Sequence, residues 1–359
     1  MQRRSFLHGS AALGLLGLSA CATQSIPSRA RVVVIGGGWG GATAAKYVRL
    51  LSDYKIDTVL IEPADAFISC PISNLVVGGS RQLADITTPY SGLARKHGVT
   101  LVKDVATAVD TSRKTVTLGR GGSIGYDKLI VSPGIDLQLE AIEGLAAAHA
   151  SGRVLHAWKA GAETVALRRQ LEAMPDGGVY AITVPEQPYR CPPGPYERAC
   201  QVAWYFKNAK PRSKVLILDA NPDVTSKGAL FKKVWAEQYA GIVEFRGQHK
   251  LTGVDVQKGV LQFEVQSDVK ADVLNVVPPQ RAGLIAVQSG WANQANKRWV
   301  GVNYQTFEST AAKDVHVIGD AILPAPGMPK SGHMANSHGK VAAAAVVAQL
   351  SGMEADPRP

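Results

Sequence analysis

Cysteine is scarce: the 359 residues hold four, Cys21, Cys70, Cys191 and Cys200. In an exported chain, which the first residues suggest, so few exclude a disulfide scaffold. No C-x-x-C pair or His/Cys cluster has the spacing of metal ligands, so no metal is expected, and the eight histidines look scattered. Aromatic residues are 6% of the chain and charged residues 19%, and there is no repeat or low-complexity tract. The apolar run from Ala11 to Ala20 is too short to cross a bilayer. Acidic residues are the minority sign, 29 against 39 Lys and Arg, for a net charge of +10. That excess favours an acidic protein partner or an anionic substrate. No basic stretch is interleaved with stacking aromatics, so no nucleic acid is expected.

What is present begins with Arg3-Arg4-Ser5-Phe6-Leu7, a twin-arginine export pattern that points to the periplasm. That route carries folded proteins, often with a cofactor already inserted. Leu18-Ser19-Ala20-Cys21 also resembles a lipobox, in which Cys21 would be acylated and tether the chain to a membrane face; plain cleavage nearby is the alternative. A mature chain starting at Cys21 loses Arg3 and Arg4 and no acid, so +10 becomes +8. The remaining length suffices for two sizeable domains.

Arg31-Val32-Val33-Val34-Ile35 reads as a buried parallel strand, and Ala42 to Val48 as a helix. Between them Gly36, Gly38 and Gly41 satisfy G-x-G-x-x-G. The pattern needs small residues because the backbone must turn tightly and approach a pyrophosphate at the helix N-terminus. A second strand, Thr58 to Ile61, ends at Glu62, placed to accept hydrogen bonds from ribose hydroxyls. Tyr126 to Gly134, with Pro133-Gly134 at its turn, resembles the close of the first half of an FAD domain. Val315 to Ala321, with Gly319-Asp320, resembles the second FAD signature, whose Asp meets the ribityl or phosphate region. Two separated signatures favour FAD over NAD.

The bracketed segment should be a second nucleotide-binding-type domain, with strands Val179 to Val184 and Val215 to Leu218. Where a second G-x-G-x-x-G would stand, the chain has Cys191-Pro192-Pro193-Gly194-Pro195. Prolines remove the N–H donors that hold phosphates, so NAD(P)H is not expected as the electron source. Tyr196 to Lys207 reads as a helix, with Cys191 just ahead of it and Arg190 and Arg198 near. A helix N-terminus and cations both favour thiolate, making Cys191 the candidate reactive sulfur. Cys200 falls inside the helix as core.

The stretches "RVVVIGGGWGGATAAKYVRLL", "ISCPISNLVVGG", "YRCPPGPYERA", "TFESTAAKDVHVIGDA" and "MPKSGHMANSHGKVAAAAVV" resemble the flavoprotein subunit of flavocytochrome c sulfide dehydrogenase, over nearly all of Arg31 to Leu350. That family is related to sulfide:quinone oxidoreductases. The resemblance implies that Cys70 carries FAD through a thioether and that Cys191 is one of two redox cysteines where sulfide is oxidised. It implies a haem c partner subunit as electron acceptor. Lys330, Ser331, Gly332 and Asn336 match a segment beneath the isoalloxazine, and the helix from Ala335 to Leu350 would aim its N-terminus at it. His333 and His338 are expected as solvated or packing residues. The family continues into a C-terminal segment with its second redox cysteine, whereas no cysteine follows Cys200 here.

The expected architecture is α/β, with two Rossmann-like units and a discontinuous FAD domain. Residues 1–29 are signal and linker, 30–145 the first FAD part, 146–270 the degenerate second unit, and 271–359 the second FAD part. The expected function is sulfide oxidation, or oxidation of a related small sulfur anion, with electrons passed to a c-type cytochrome. Quinone as acceptor and a non-catalytic flavin or sulfur carrier are the rivals.

Overall fold

The computed structural model describes residues 30–355; the export and lipidation expectations at Arg3, Arg4 and Cys21 lie outside them. The strand Arg31–Ile35 is buried from Val32 onward, because β-branched residues fill both faces of a covered parallel sheet. It pairs in parallel with Asp57–Ile61 on one side and Lys128–Val131 on the other. Thr100–Val102 and Val315–Val317 complete a five-stranded parallel sheet at its two edges. The last of these strands arrives nearly 200 residues late, so the first unit is discontinuous, as the two signatures imply.

A second five-stranded parallel sheet runs Val154–Leu155, Val273–Val276, Val179–Val184, Lys214–Asp219, Val243–Arg246. Val273–Val276 lies inside this sheet, so the second unit runs past the boundary expected at residue 270. The cause is topological. The chain leaves through an antiparallel ribbon, Leu251–Asp255, Val260–Phe263 and Val269–Lys270, and must return to fill the slot between Val154–Leu155 and Val179–Val184. No described helix is long and apolar enough to cross a membrane.

Helices Trp39–Leu51 and Gly332–Leu350 cross with their backbones in contact. A Cβ on Gly339 would lie 2.5 Å from the Gly40 carbonyl oxygen. Both helices outrun the expected Ala42 to Val48 and Ala335 to Leu350, since Gly40, Gly41 and Gly332 cost less in a first turn than at mid-helix. Ser331 caps the later one, its Oγ accepting the Met334 N–H at 3.2 Å. In the second unit Gly194–Ala209 carries Val202 and Phe206 into the core and exposes Trp204. All three helices begin beside the crevice where the two units meet.

Candidate active site

The crevice encloses about 770 Å³ and is lined from both units: Gly38 and Cys70 from the first, Cys191 and Arg198 from the second, Asp320 and Gly332 from the returning chain. Three helix N-termini open on it, which favours bound negative charge.

The glycine loop is built for a phosphate-bearing ligand. Gly36 adopts φ +91°, and a Cβ there would lie 2.4 Å from the Ser132 carbonyl oxygen. A Cβ on Gly41 would lie 1.8 Å from the Gly36 carbonyl oxygen, so this glycine permits the helix to start against the strand. A Cβ on Gly38 would meet nothing within 4 Å, because it faces the open crevice. Tight turn, close packing and free approach are the three requirements of a dinucleotide loop.

The other expected cofactor residues are distributed as follows. Gly134 and Gly319 line the crevice beside Gly38. Asp320 is half-buried there, its Oδ1 enclosed and without a hydrogen-bond partner; desolvation raises its carboxyl group against the pull of Arg190 and Lys330. Pro133 lines a neighbouring hollow with Gly36, Asp104 and Ile285. Glu62 stands at another hollow with Tyr90 and Lys103, its carboxylate accepting the N–H groups of Gly37 (2.7 Å) and Ala64 (3.0 Å). Two residues depart from expectation. The Lys330 ammonium turns away to the carbonyls of Asp320 and Ile322 and lies 3.4 Å from the Trp299 ring centroid. Burial lowers its pKa to about 7, so carbonyl dipoles and a π face replace a counter-ion. Asn336 donates to Thr43 Oγ1 at 2.7 Å and braces the two crossing helices instead of reaching the crevice. His338 is a packing histidine: it accepts the Gly319 N–H at 3.3 Å and lies against Phe307. His333 is exposed.

Cys191 sits at the crevice with φ +59°, a left-handed conformation uncommon for a side-chain-bearing residue. Its N–H donates to the Lys330 carbonyl at 2.7 Å, fastening the second unit's loop to the returning chain. The expected thiolate is not what this setting favours. Burial pushes the thiol up to about 11, the Glu197 charge adds to it, and Arg190 pulls the other way without prevailing. The helix start gives little help: the Gly194 N–H, which also donates to the Cys191 carbonyl at 2.8 Å, pulls the thiol down least of the groups acting on it, and Pro192, Pro193 and Pro195 have no N–H to offer. Cys191 is therefore a thiol at neutral pH. Cys70 holds two donors on its sulfur, the Ala160 N–H at 3.3 Å and Arg190 Nη2 at 3.7 Å. Cys200 packs in the helix and accepts from Trp235 Nε1 at 3.3 Å.

Several residues escape a reading by motif. Arg198 does not reach out to a thiol but is fully buried, donating to Asn74, Asn275 and the carbonyls of His156 and Ala157. Glu197 faces Cys191 through its charge, burial raising its carboxyl group. Nor are all the histidines scattered. Glu163 takes His149 Nε2 at 3.1 Å and His156 Nδ1 at 2.9 Å. Burial alone would raise Glu163; His156 and two backbone N–H groups bring it down to about 2. The two rings stack 13° from parallel, so their in-plane lone pairs do not converge on a point between them as an ion would require. The trio instead stiffens the segment carrying Trp158 into the crevice.

The crevice fits a flavin dinucleotide: an open face at Gly38, an orphaned buried carboxyl oxygen at Asp320, and two helix N-termini in the first unit's half. Residues 164–278 match the family model "Sulfide dehydrogenase [flavocytochrome c] flavoprotein chain, central", and residues 30–167 match "Pyridine nucleotide-disulphide oxidoreductase". A sulfide dehydrogenase [flavocytochrome c] flavoprotein chain from Chlorobaculum thiosulfatiphilum is 59% identical over 46 residues, 13% of this chain and 94% of that sequence. The mitochondrial sulfide:quinone oxidoreductase of Dictyostelium discoideum is 26% identical over 302 residues, 81% of this chain; the chain spans 65% of that relative's length. In fold, the chain resembles the sulfide:quinone oxidoreductase of Aquifex aeolicus, with TM-score 0.76, 20% identity, and coverage of 90% of this chain and 77% of that one.

Proposed function

The chain belongs to the sulfide-oxidising flavoproteins, the family of flavocytochrome c sulfide dehydrogenase and sulfide:quinone oxidoreductase, and we propose that it oxidises sulfide at Cys191 with FAD in the adjoining crevice. The observation that carries this is the meeting of Cys191, Cys70, Gly38 and Asp320 in one crevice. FAD, when bound, takes up an electron pair and releases it singly. Gly38 and the Trp39–Leu51 helix start would receive its diphosphate, Glu62 its ribose and Asp320 its ribityl chain.

Cys191 supplies the sulfur to which sulfide is joined. Joining hydrosulfide to the Cys191 thiol forms an S–S bond, breaks the thiol S–H bond with its proton passing to the Glu197 carboxylate, and frees one electron pair that FAD, when bound, would take up. The balance is Cys-SH plus HS⁻ giving Cys-S-SH, H⁺ and two electrons. Glu197 suits this because burial already raises its carboxyl group toward proton uptake. Cys70 is proposed as the covalent attachment point, its sulfur activated by the Ala160 and Arg190 donors. The twin-arginine pattern supports a periplasmic location, with Cys21 a lipid tether where the lipobox is used. A c-type cytochrome is the proposed acceptor; the names of the quinone-reducing relatives make quinone the second reading.

The test is anaerobic stopped-flow of flavin-loaded protein with sulfide. Flavin bleaching is expected in the wild type and its loss in Cys191→Ser. Bleaching that survives that substitution would move the chemistry elsewhere. Re-oxidation by cytochrome c or by a quinone analogue then separates the acceptors.

A further inference from the structure

Arg198 lies on the Gly194–Ala209 helix at 1% exposure and lines the same crevice as the two cysteines. Taking a guanidinium out of water costs several kcal/mol, and a buried one is ordinarily met by a carboxylate. Among the described residues none is in ion-pair range of Arg198. Its acceptors are all neutral: Asn74 Oδ1 at 2.9 Å, Asn275 Oδ1 at 2.9 Å, and the carbonyls of His156 at 2.9 Å and Ala157 at 2.7 Å. The amides are themselves oriented. Asn74 Nδ2 donates to the Gly194 carbonyl, and Asn275 Nδ2 donates to the Leu155 and His156 carbonyls, so both Oδ1 atoms must face the guanidinium. The Trp158 ring lies 5.0 Å away on another side. Dipoles fix the group in place, and the Glu163 carboxylate acts on it only through space, without an ion pair.

The surrounding charges sharpen this. Arg190 Nη2 donates to the Trp158 carbonyl and also lacks a carboxylate in ion-pair range. The carboxyl groups that act on Cys191 are Glu197 and Asp320, and burial raises both. The half of the crevice next to Cys191 therefore holds two guanidinium groups, neither in an ion pair with a described carboxylate.

We propose that Arg198 is a specificity-determining residue: its guanidinium, in no ion pair, draws a small monoanion to Cys191 and disfavours neutral sulfur compounds of similar size. Identifying that monoanion as hydrosulfide rests on the function proposed above; the selection by charge does not. A guanidinium serving only to clamp the His156–Ala157 segment would leave reactions at Cys191 indifferent to reagent charge.

The probe is a pair of alkylating agents of nearly equal size, iodoacetate (anionic) and iodoacetamide (neutral). Their rates at Cys191 are read by peptide mass spectrometry on the flavin-loaded protein, and their ratio cancels the thiolate fraction. In the wild type the ratio should exceed that of free cysteine by about tenfold, the scale of one unit charge acting across several ångströms at an effective dielectric constant of about 20. Asn74→Asp keeps an oxygen against Arg198 Nε and adds the missing negative charge, so the ratio should fall by about tenfold. A wild-type ratio at or below that of free cysteine overturns the proposal whether or not the variant folds, and so does an unchanged ratio in the variant. No sulfide turnover enters this measurement, so it can fail while the proposed function stands, or hold while that function fails.

Discussion

At the scale of single residues, burial outweighs sequence neighbourhood at Cys191, Glu197, Asp320 and Lys330. Cys191 has cations beside it in the chain and still becomes a weak acid, because desolvation exceeds their attraction. His338 shows the same effect with the opposite charge type: burial, aided by the Lys330 charge, holds its pKa down at about 4. The folded protein keeps it neutral, whereas the unfolded chain protonates it near 6.5. Its contribution to stability is therefore complete above about pH 6.5, declines as pH falls, and is lost by about pH 4, up to ~3 kcal/mol over that window. Urea unfolding between pH 7.5 and 4 should show this decline, and His338→Gln, which keeps an acceptor for the Gly319 N–H, should flatten it. At Cys70 the expected outcome is that acid-precipitated protein keeps its yellow flavin and that Cys70→Ser releases it into the supernatant. Flavin washing out of wild-type pellets would leave the cofactor non-covalent and Cys70 only its neighbour.

At the scale of elements, the glycines separate packing from binding. Gly339→Ala drives a methyl group into the Gly40 carbonyl oxygen where two helices touch, and should destabilise by about 1 to 3 kcal/mol. Gly38→Ala meets nothing in the fold, so the apo protein should unfold at the wild-type denaturant concentration while binding FAD more weakly. If both variants lost stability and neither lost flavin, the open face of Gly38 would not be the diphosphate site. Between strand Val179–Val184 and helix Gly194–Ala209, the Pro-rich loop spends its backbone on holding Cys191, with one N–H fastened to Lys330 and another to Cys191's own carbonyl.

At the scale of the molecule, two similar units hold dissimilar loops. The first keeps its glycines and an open helix start; the second has the same strand–loop–helix outline with prolines where donors would be. NADH and NADPH are therefore expected to leave the flavin oxidised in anaerobic titration, at concentrations where sulfide reduces it. Reduction by either nucleotide would show that the second unit holds a diphosphate by donors outside the proline loop.

The sequence by itself determined the β-branched strands, the glycine loop with Glu62, and a proline loop unable to cradle phosphate. Those features rest on local backbone sterics and hydrogen-bonding capacity, which travel with residue type. The tertiary structure decided that Cys70, Cys191 and Asp320 share one crevice although they come from three separate stretches. It also decided that Lys330 and Asn336 brace the crevice from outside, that Arg198 stands without a counter-ion, and that Cys191 is a thiol. Each of these depends on how much water is excluded and which dipoles remain, and only the packing of the two units against each other sets that.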